Sequence, residues 1–123
     1  MFEALLSQVD PALEFLTYDV EHGDYPESLD GIDAWLITGS KASVYDHETW
    51  IQRLEAFVRR LYEEGKIIIG ICFGHQMIAQ ALGGETKKAS AGWGVGVHGA
   101  QWRQKPQWLQ GTGQGFNLSL IHI

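Results

Sequence analysis

Apolar residues Phe2, Leu5, Leu6 and Val9 recur at helical spacing and the run stops at Asp10–Pro11, so Met1–Val9 is expected to be an amphipathic helix. Leu13–Val20 is rich in strand formers, and Pro26–Asp30 is a polar, turn-prone link. Ala34–Thr38 reads as a short buried strand between Asp30–Gly31 and Gly39. Asp46 is the expected N-cap of a long helix with Trp50, Leu54, Phe57, Val58 and Leu61 on one face, ended by Gly65. Lys66–Ile71 then reads as a strand apolar on both sides, as at the centre of a parallel sheet. Gly74–Leu82 is the next helix, with Met77, Ile78, Ala81 and Leu82 inward and Gly83–Gly84 as its stop. Glu85–Lys88 and Trp93–Trp102 are expected strands, the second alternating through Trp93, Val95 and Val97. Strands alternating with helices predict an α/β protein with a doubly wound, mostly parallel sheet and flanking helices.

Composition narrows the partners. The 123 residues suffice for one small domain, and a 45% hydrophobic share supports a packed core. A net charge of −6 with scattered Lys and Arg argues against nucleic-acid binding. No run approaches membrane-spanning length, and no basic segment leads a long apolar stretch, so no membrane partner is expected. A single cysteine, Cys72, forms no internal disulfide, which favours a reducing, cytoplasmic setting. No C-x-x-C or H-x-x-x-H spacing is present, so neither a metal nor a cofactor is expected. Gly94–Gly99 matches G-x-G-x-x-G, but the match falls inside a strand pattern rather than between strand and helix, and is read as chance. Trp93, Trp102 and Trp108 are read as packing residues of a strand and its exit loop.

The chemistry concentrates at Gly70-Ile71-Cys72-Phe73-Gly74, which has the G-x-nucleophile-x-G form of a strand-to-helix elbow. In open α/β sheets, sites form beyond the carboxyl ends of strands, and both Gly39 and Cys72 occupy such ends. An elbow lifts the sulfur above the sheet and sets it at a helix N-terminus, where an anion is favoured. It also directs the amide of Phe73 toward a developing acyl oxyanion. Glycines at positions 70 and 74 remove side chains that would clash there. Alone, a single cysteine is most simply inert core filling; the two glycines, the β-branched strand before it and the amphipathic helix after it reverse that reading.

Residues Gly70–Gly84, "GICFGHQMIAQALGG", resemble the nucleophile region of class I glutamine amidotransferases, with their G-x-C-x-G-x-Q pattern, helix and Gly-Gly stop. Upstream, "DGIDAWLITGSKAS" is similar to that family's strand ending in an oxyanion loop. The likeness runs from about Phe2 to about Trp108 and is strongest to stand-alone, GMP synthase-like members. It implies a flavodoxin-like fold, here incomplete. It further implies that Cys72 attacks the side-chain amide of glutamine, that Gly39 and Phe73 form the oxyanion hole, and that Gln76 helps bind glutamine. Ammonia would pass to an acceptor, with a separate synthetase as a possible partner. Ser40 stands where many members have proline, which leaves the Gly39 amide in place. Gln76 also reads simply as a solvent-facing residue of the first helical turn.

A cysteine amidohydrolase needs an imidazole. His75 follows the elbow but on a first helical turn points away from the sulfur; His22 and His47 read as solvated, and His98 lies on the glycine-rich strand. The family's base is a histidine on a later strand with glutamate two residues on, and no His-x-Glu occurs after Cys72. The closing "LSLIHI", Leu118–Ile123, is the hexapeptide that the codons CTG-TCT-CTT-ATA-CAC-ATC spell, and that string is the transposon end of common sequencing adapters. We therefore expect residues 1–117 to be a partial amidotransferase domain, lacking also the family's first strand, and 118–123 to be a non-native tail. The alternative is a genuine strand "FNLSLIHI" with a functional His122. The expected activity is glutaminase-type hydrolysis through a cysteine thioester, with this chain inactive for want of the His-Glu pair. The alternatives are a γ-glutamyl hydrolase-like peptidase and a non-catalytic α/β binding module.

Overall fold

The computed structural model describes residues 1–92, 94, 96–111, 113 and 115–120, the last stretch as backbone. It contains two compact units, Met1–Thr86 and Lys87–Ile123.

The first unit opens with α1 (Phe2–Val9), as its apolar spacing predicts. None of its residues is buried, although Thr17 Oγ1 donates to Glu3 Oε1 across 14 positions. Leu13–Val20 does not form a strand. Its residues find no pairing partner among the described residues, and the segment leads without regular structure into a 3-10 turn, Val20–His22, capped by the Asp19 side chain. The sheet is the parallel pair β1 (Ala34–Ile37) and β2 (Ile67–Gly70), joined by α2 (Thr49–Glu63). Their register pairs Ala34 with Ile67 and Ile37 with Gly70. From β2 the chain turns at Cys72 into α3 (Phe73–Ala81). The β–α–β–α order and parallel pairing are those of an α/β sheet with flanking helices.

Of the expected apolar face of helix α2, Leu54, Val58 and Leu61 are buried and Trp50 and Phe57 half-buried, and Ile51, not named from sequence, is buried with them. Its N-cap is Glu48 rather than Asp46, because the Asp46 carboxylate is engaged one turn earlier, accepting from the Ser43 amide at 2.7 Å. Gly65 follows the helix at φ 68°, a left-handed conformation that stops it without strain. The main core joins α2 and α3 through Val44, Ile51, Leu54, Val58, Phe73, Met77 and Ala81. A smaller cluster holds Leu29, Trp35 and Leu61, with Tyr18, Ile32, Phe57 and Ile68 packed against it. Leu82, expected inward, is exposed, since α3 ends at Ala81 and Gly83 turns the chain at φ 90°.

β2 is not covered on both sides. Ile68 meets the core, whereas Ile67 is 63% and Ile69 51% exposed, because both helices lie against the other face. Apolar composition on both sides signalled a central strand; in this unit only one face is packed.

Glu85–Lys88, expected as a strand, is irregular, and in the second unit the strand expected at Trp93–Trp102 is β3 (Gly96–Gln101). It pairs antiparallel with β4 (Gly115–Leu120), Gly96 opposite Leu120 and Gln101 opposite Gly115. The pairing is that of a hairpin rather than a further parallel strand. Leu118–Leu120 thus belong to β4; Trp93, Val95 and His122 lie outside the described residues. Among the described residues no helix is long and apolar enough to cross a membrane.

Candidate active site

The parallel register dictates what meets at the top of the sheet. Ile37 and Gly70 are level, so the residues two positions beyond each, Gly39 and Cys72, emerge side by side. A Cβ placed on Gly39 would lie 3.8 Å from Cys72 Cβ. The ladder runs one step past the strand, with the Ile71 amide donating to Ile37 O at 2.9 Å. The chain then reverses. Gly74 N donates to Ile71 O at 3.0 Å, and Gln76 N to Cys72 O at 3.1 Å, which opens the helix.

Cys72 sits at φ 55°, ψ −111°, the single non-glycine residue of positive φ among those described. That conformation is disfavoured for a residue with a Cβ and persists where its surroundings enforce it. The enforcement is visible in the flanking glycines. A Cβ on Gly70 would come within 2.5 Å of the Gly74 carbonyl carbon and 2.6 Å of His75 N. A Cβ on Gly74 would overlap Ile37 O. The first turn of α3 is therefore pressed onto the ends of both strands, and the corner carries Cys72 outward, exposed, as an unpaired thiol.

The other expected site residues distribute as follows. Phe73 is buried, its ring 5.6 Å from that of Trp50, which leaves its backbone at the helix N-terminus beside Cys72. Among the described residues the amides of Gly39 and Phe73 donate to no acceptor. Gln76 is exposed on the first turn of α3, and its carbonyl accepts from Thr86 Oγ1 at 3.4 Å. Ser40 closes its turn by a hydrogen bond: its hydroxyl accepts from the Ala42 amide at 3.1 Å. His75 is exposed on α3, and His22 Nδ1 lies 2.9 Å from Asp19 Oδ2. That contact, above all other influences, holds the exposed Asp19 carboxyl below its ordinary value. No histidine among the described residues is hydrogen-bonded to Cys72.

Two residues that hold this corner were missed from sequence. Val44, in the loop after Gly39, is buried in the main core. Gln80 of α3 donates through Nε2 to Val44 O at 3.0 Å and to Glu55 Oε2 at 3.2 Å. An apolar valine inside the polar run Ser40–His47, and a glutamine between the inward positions Met77 and Ala81, are the signals that could have found them. An open groove lies elsewhere, bounded by Val20, His22, His47, Trp50 and Arg53; Cys72 does not line it. Among the described residues no group of His, Cys, Asp and Glu is arranged to hold a metal ion.

A parallel β–α–β–α unit with a cysteine on its strand-to-helix corner defines the class of α/β protein. The chain belongs to the class I glutamine amidotransferase family, whose profile, "Glutamine amidotransferase class-I", matches residues 6–122. It is 33% identical over 94 residues to gamma-glutamyl peptidase 4 of Arabidopsis thaliana, covering 75% of this chain and 37% of that protein. A glutamine amidotransferase-like protein of Schizosaccharomyces pombe is 42% identical over 85 residues, 64% of this chain and 34% of that one. Cobyric acid synthase of Desulforudis audaxviator is 33% identical over 91 residues, 66% of this chain and 18% of the synthase. The chain spans about a third of the length of the first two relatives. No solved structure matches it significantly.

Proposed function

We propose that the protein hydrolyses a γ-glutamyl amide through a thioester on Cys72. The observation that carries this reading is the corner itself: a strained, exposed cysteine at a helix N-terminus, beside Gly39, in a chain of this family. The thiolate adds to the side-chain carbonyl carbon of glutamine. The resulting oxyanion accepts hydrogen bonds from the Gly39 and Phe73 amides, which are committed to no other acceptor among the described residues. Collapse expels the nitrogen, which takes a proton and leaves as ammonia, and water then attacks the γ-glutamyl thioester to release glutamate and the thiol. Gln76, one turn from Cys72, contacts the bound glutamine. The ammonia passes to an acceptor on a partner protein or domain, an arrangement supported by the likeness to a cobyric acid synthase.

Expulsion of ammonia requires a general acid–base group. No His-x-Glu follows Cys72 within these 123 residues, so this chain by itself is expected to be acylated by an activated γ-glutamyl ester but not to turn over glutamine.

A second reading is favoured by the relatives named gamma-glutamyl peptidases: the same thioester formed from a γ-glutamyl peptide, with an amine as leaving group and water as acceptor. The two differ in the width of the pocket beyond the scissile bond.

The test is acylation with a γ-glutamyl p-nitrophenyl ester, whose leaving group needs no proton. Intact-mass measurement is expected to find one γ-glutamyl group on the chain, absent in Cys72→Ala. An unmodified wild-type chain overturns the reading. Protection of Cys72 from alkylation by glutamine, or by a γ-glutamyl dipeptide, then separates the two substrates. Glutamine turnover above the Cys72→Ala background refutes the expected dependence on a missing base, and directs attention to His98 or His122.

A further inference from the structure

We propose that Gln80 is a positioning residue for this chemistry, fixing the Gly39 amide relative to the Cys72 sulfur. The inference rests on the oxyanion reading above. Gly39 lies on a loop, and nothing in β1 itself fixes where that loop travels after Ile37. The loop is anchored at Val44, whose side chain is fully buried and whose carbonyl accepts from Gln80 Nε2 at 3.0 Å. Gln80 belongs to α3, the helix whose first turn carries Cys72 and is pressed onto Ile37 and Gly70. One side-chain amide thus ties the oxyanion loop to the nucleophile's own helix.

The bond is oriented by its surroundings. The amide nitrogen also donates to Glu55 Oε2 at 3.2 Å, and a carboxylate accepts only from the NH2 end. Glu55 is held in turn by Arg59, whose Nη2 donates to Oε1 at 2.7 Å while its Nε donates to Ala81 O at 3.1 Å. The circuit therefore closes from α3 through α2 and back to the end of α3. Two acceptors, one on the loop and one on α2, use both protons of the Gln80 amide. The group has no rotational freedom left to release Val44, and its part-buried setting limits competition from water. Oxyanion stabilisation is sensitive to such placement, because a donor acts over a hydrogen-bond length and removing one costs about 100- to 1,000-fold in rate.

Two reactions of the same sulfur separate this role from mere support of the fold. Acylation by p-nitrophenyl acetate passes through an oxyanion; alkylation by iodoacetamide does not. Both rates are measured on the full chain, with Cys72→Ala subtracted, and their ratio is compared with that of N-acetylcysteine. The wild-type ratio is expected to exceed that of the free thiol. Gln80→Met, close in shape but without donors, is expected to lose acylation by about tenfold, within the range set by removal of a whole donor, and to keep its alkylation rate. Glu55→Ala, which removes one of the two acceptors and leaves the Val44 bond, is expected to lose acylation less, and serves if Gln80→Met does not fold. A wild-type ratio equal to that of N-acetylcysteine overturns the oxyanion reading and this proposal together. Unchanged acylation in the variant that folds, or an equal loss in both reactions, overturns the proposal alone.

Discussion

Gly74 stands against the carbonyl of Ile37 with no room for a methyl group between them: a Cβ there would overlap the oxygen and lie 2.7 Å from the carbonyl carbon. The contact is backbone to backbone, so no side chain can swing aside. Gly74→Ala must push α3 off the end of β1, and is expected to destabilise the fold by about 1–3 kcal/mol or more, the range of overpacking in a filled interior. Urea denaturation reads the change. A midpoint equal to wild type would show that α3 does not rest on β1 here.

The strain at Cys72 gives the opposite sign at a neighbouring position. A non-glycine residue held in such a conformation costs on the order of 1–3 kcal/mol. Glycine adopts it freely but adds roughly 0.5–1 kcal/mol of unfolded-state entropy. Cys72→Gly should therefore be more stable than Cys72→Ala, which keeps the Cβ and the strain, by up to about 2 kcal/mol on these magnitudes. Thermal melts of the two variants make the comparison without the thiol in either. If Cys72→Ala is the more stable, the corner is not strained.

How much of this was legible in the sequence differs by element. The elbow was readable because its determinants are local: two glycines at fixed offsets, an apolar strand before and a periodic helix after. Helix α2 was readable for the same reason, through its stripe from Trp50 to Leu61. What failed depended on partners distant in the chain. Leu13–Val20 has strand composition, yet a strand exists by its ladder, and no described segment pairs with it. The cap at Asp46 failed because a carboxylate close to a helix start has two turns to choose from, and Ser43 holds it in the earlier one. β2 was read as covered on both sides because three successive isoleucines, Ile67–Ile69, carry no phase, and only packing decides which face is wet. Val44 and Gln80 escaped for the deeper reason that their importance lies in one hydrogen bond across 36 positions.

The unequal faces of β2 and α3 give a paired prediction. Met77 is 0% exposed at the centre of the main core, so Met77→Ala is expected to cost about 2–5 kcal/mol through lost burial and the cavity left behind. Ile69 is 51% exposed on the face away from the helices, and Ile69→Thr, which keeps the branched Cβ, should change stability by about 0.5 kcal/mol at most. Denaturation midpoints of the two variants read both values. A large loss at Ile69 would mean that its face is covered when the chain is in solution.

Tyr25 offers a prediction with a pH signature. Its ring meets Phe57 edge-on at 5.1 Å, with the Arg53 guanidinium 4.3 Å from the ring centroid. Its hydroxyl is shut from solvent and has no hydrogen-bond partner among the described residues. Burial raises the phenol above its ordinary value of 10.0, against a smaller opposing pull from Arg53. The folded state thus holds the proton after the unfolded chain has begun to lose it. Stability linked to this group is complete below pH 10.0 and is lost as pH rises from there through the higher folded value. Tyr25→Phe removes both the ionisation and the unpaired donor, whose desolvation costs roughly 1–3 kcal/mol in buried sites. The variant is expected to match or exceed wild type at neutral pH and to lose less stability than wild type above pH 10.0. Urea titrations of both proteins at neutral and alkaline pH measure the difference. A clear loss at neutral pH would mean that the hydroxyl does have an acceptor in solution, and the alkaline comparison would then lose its basis.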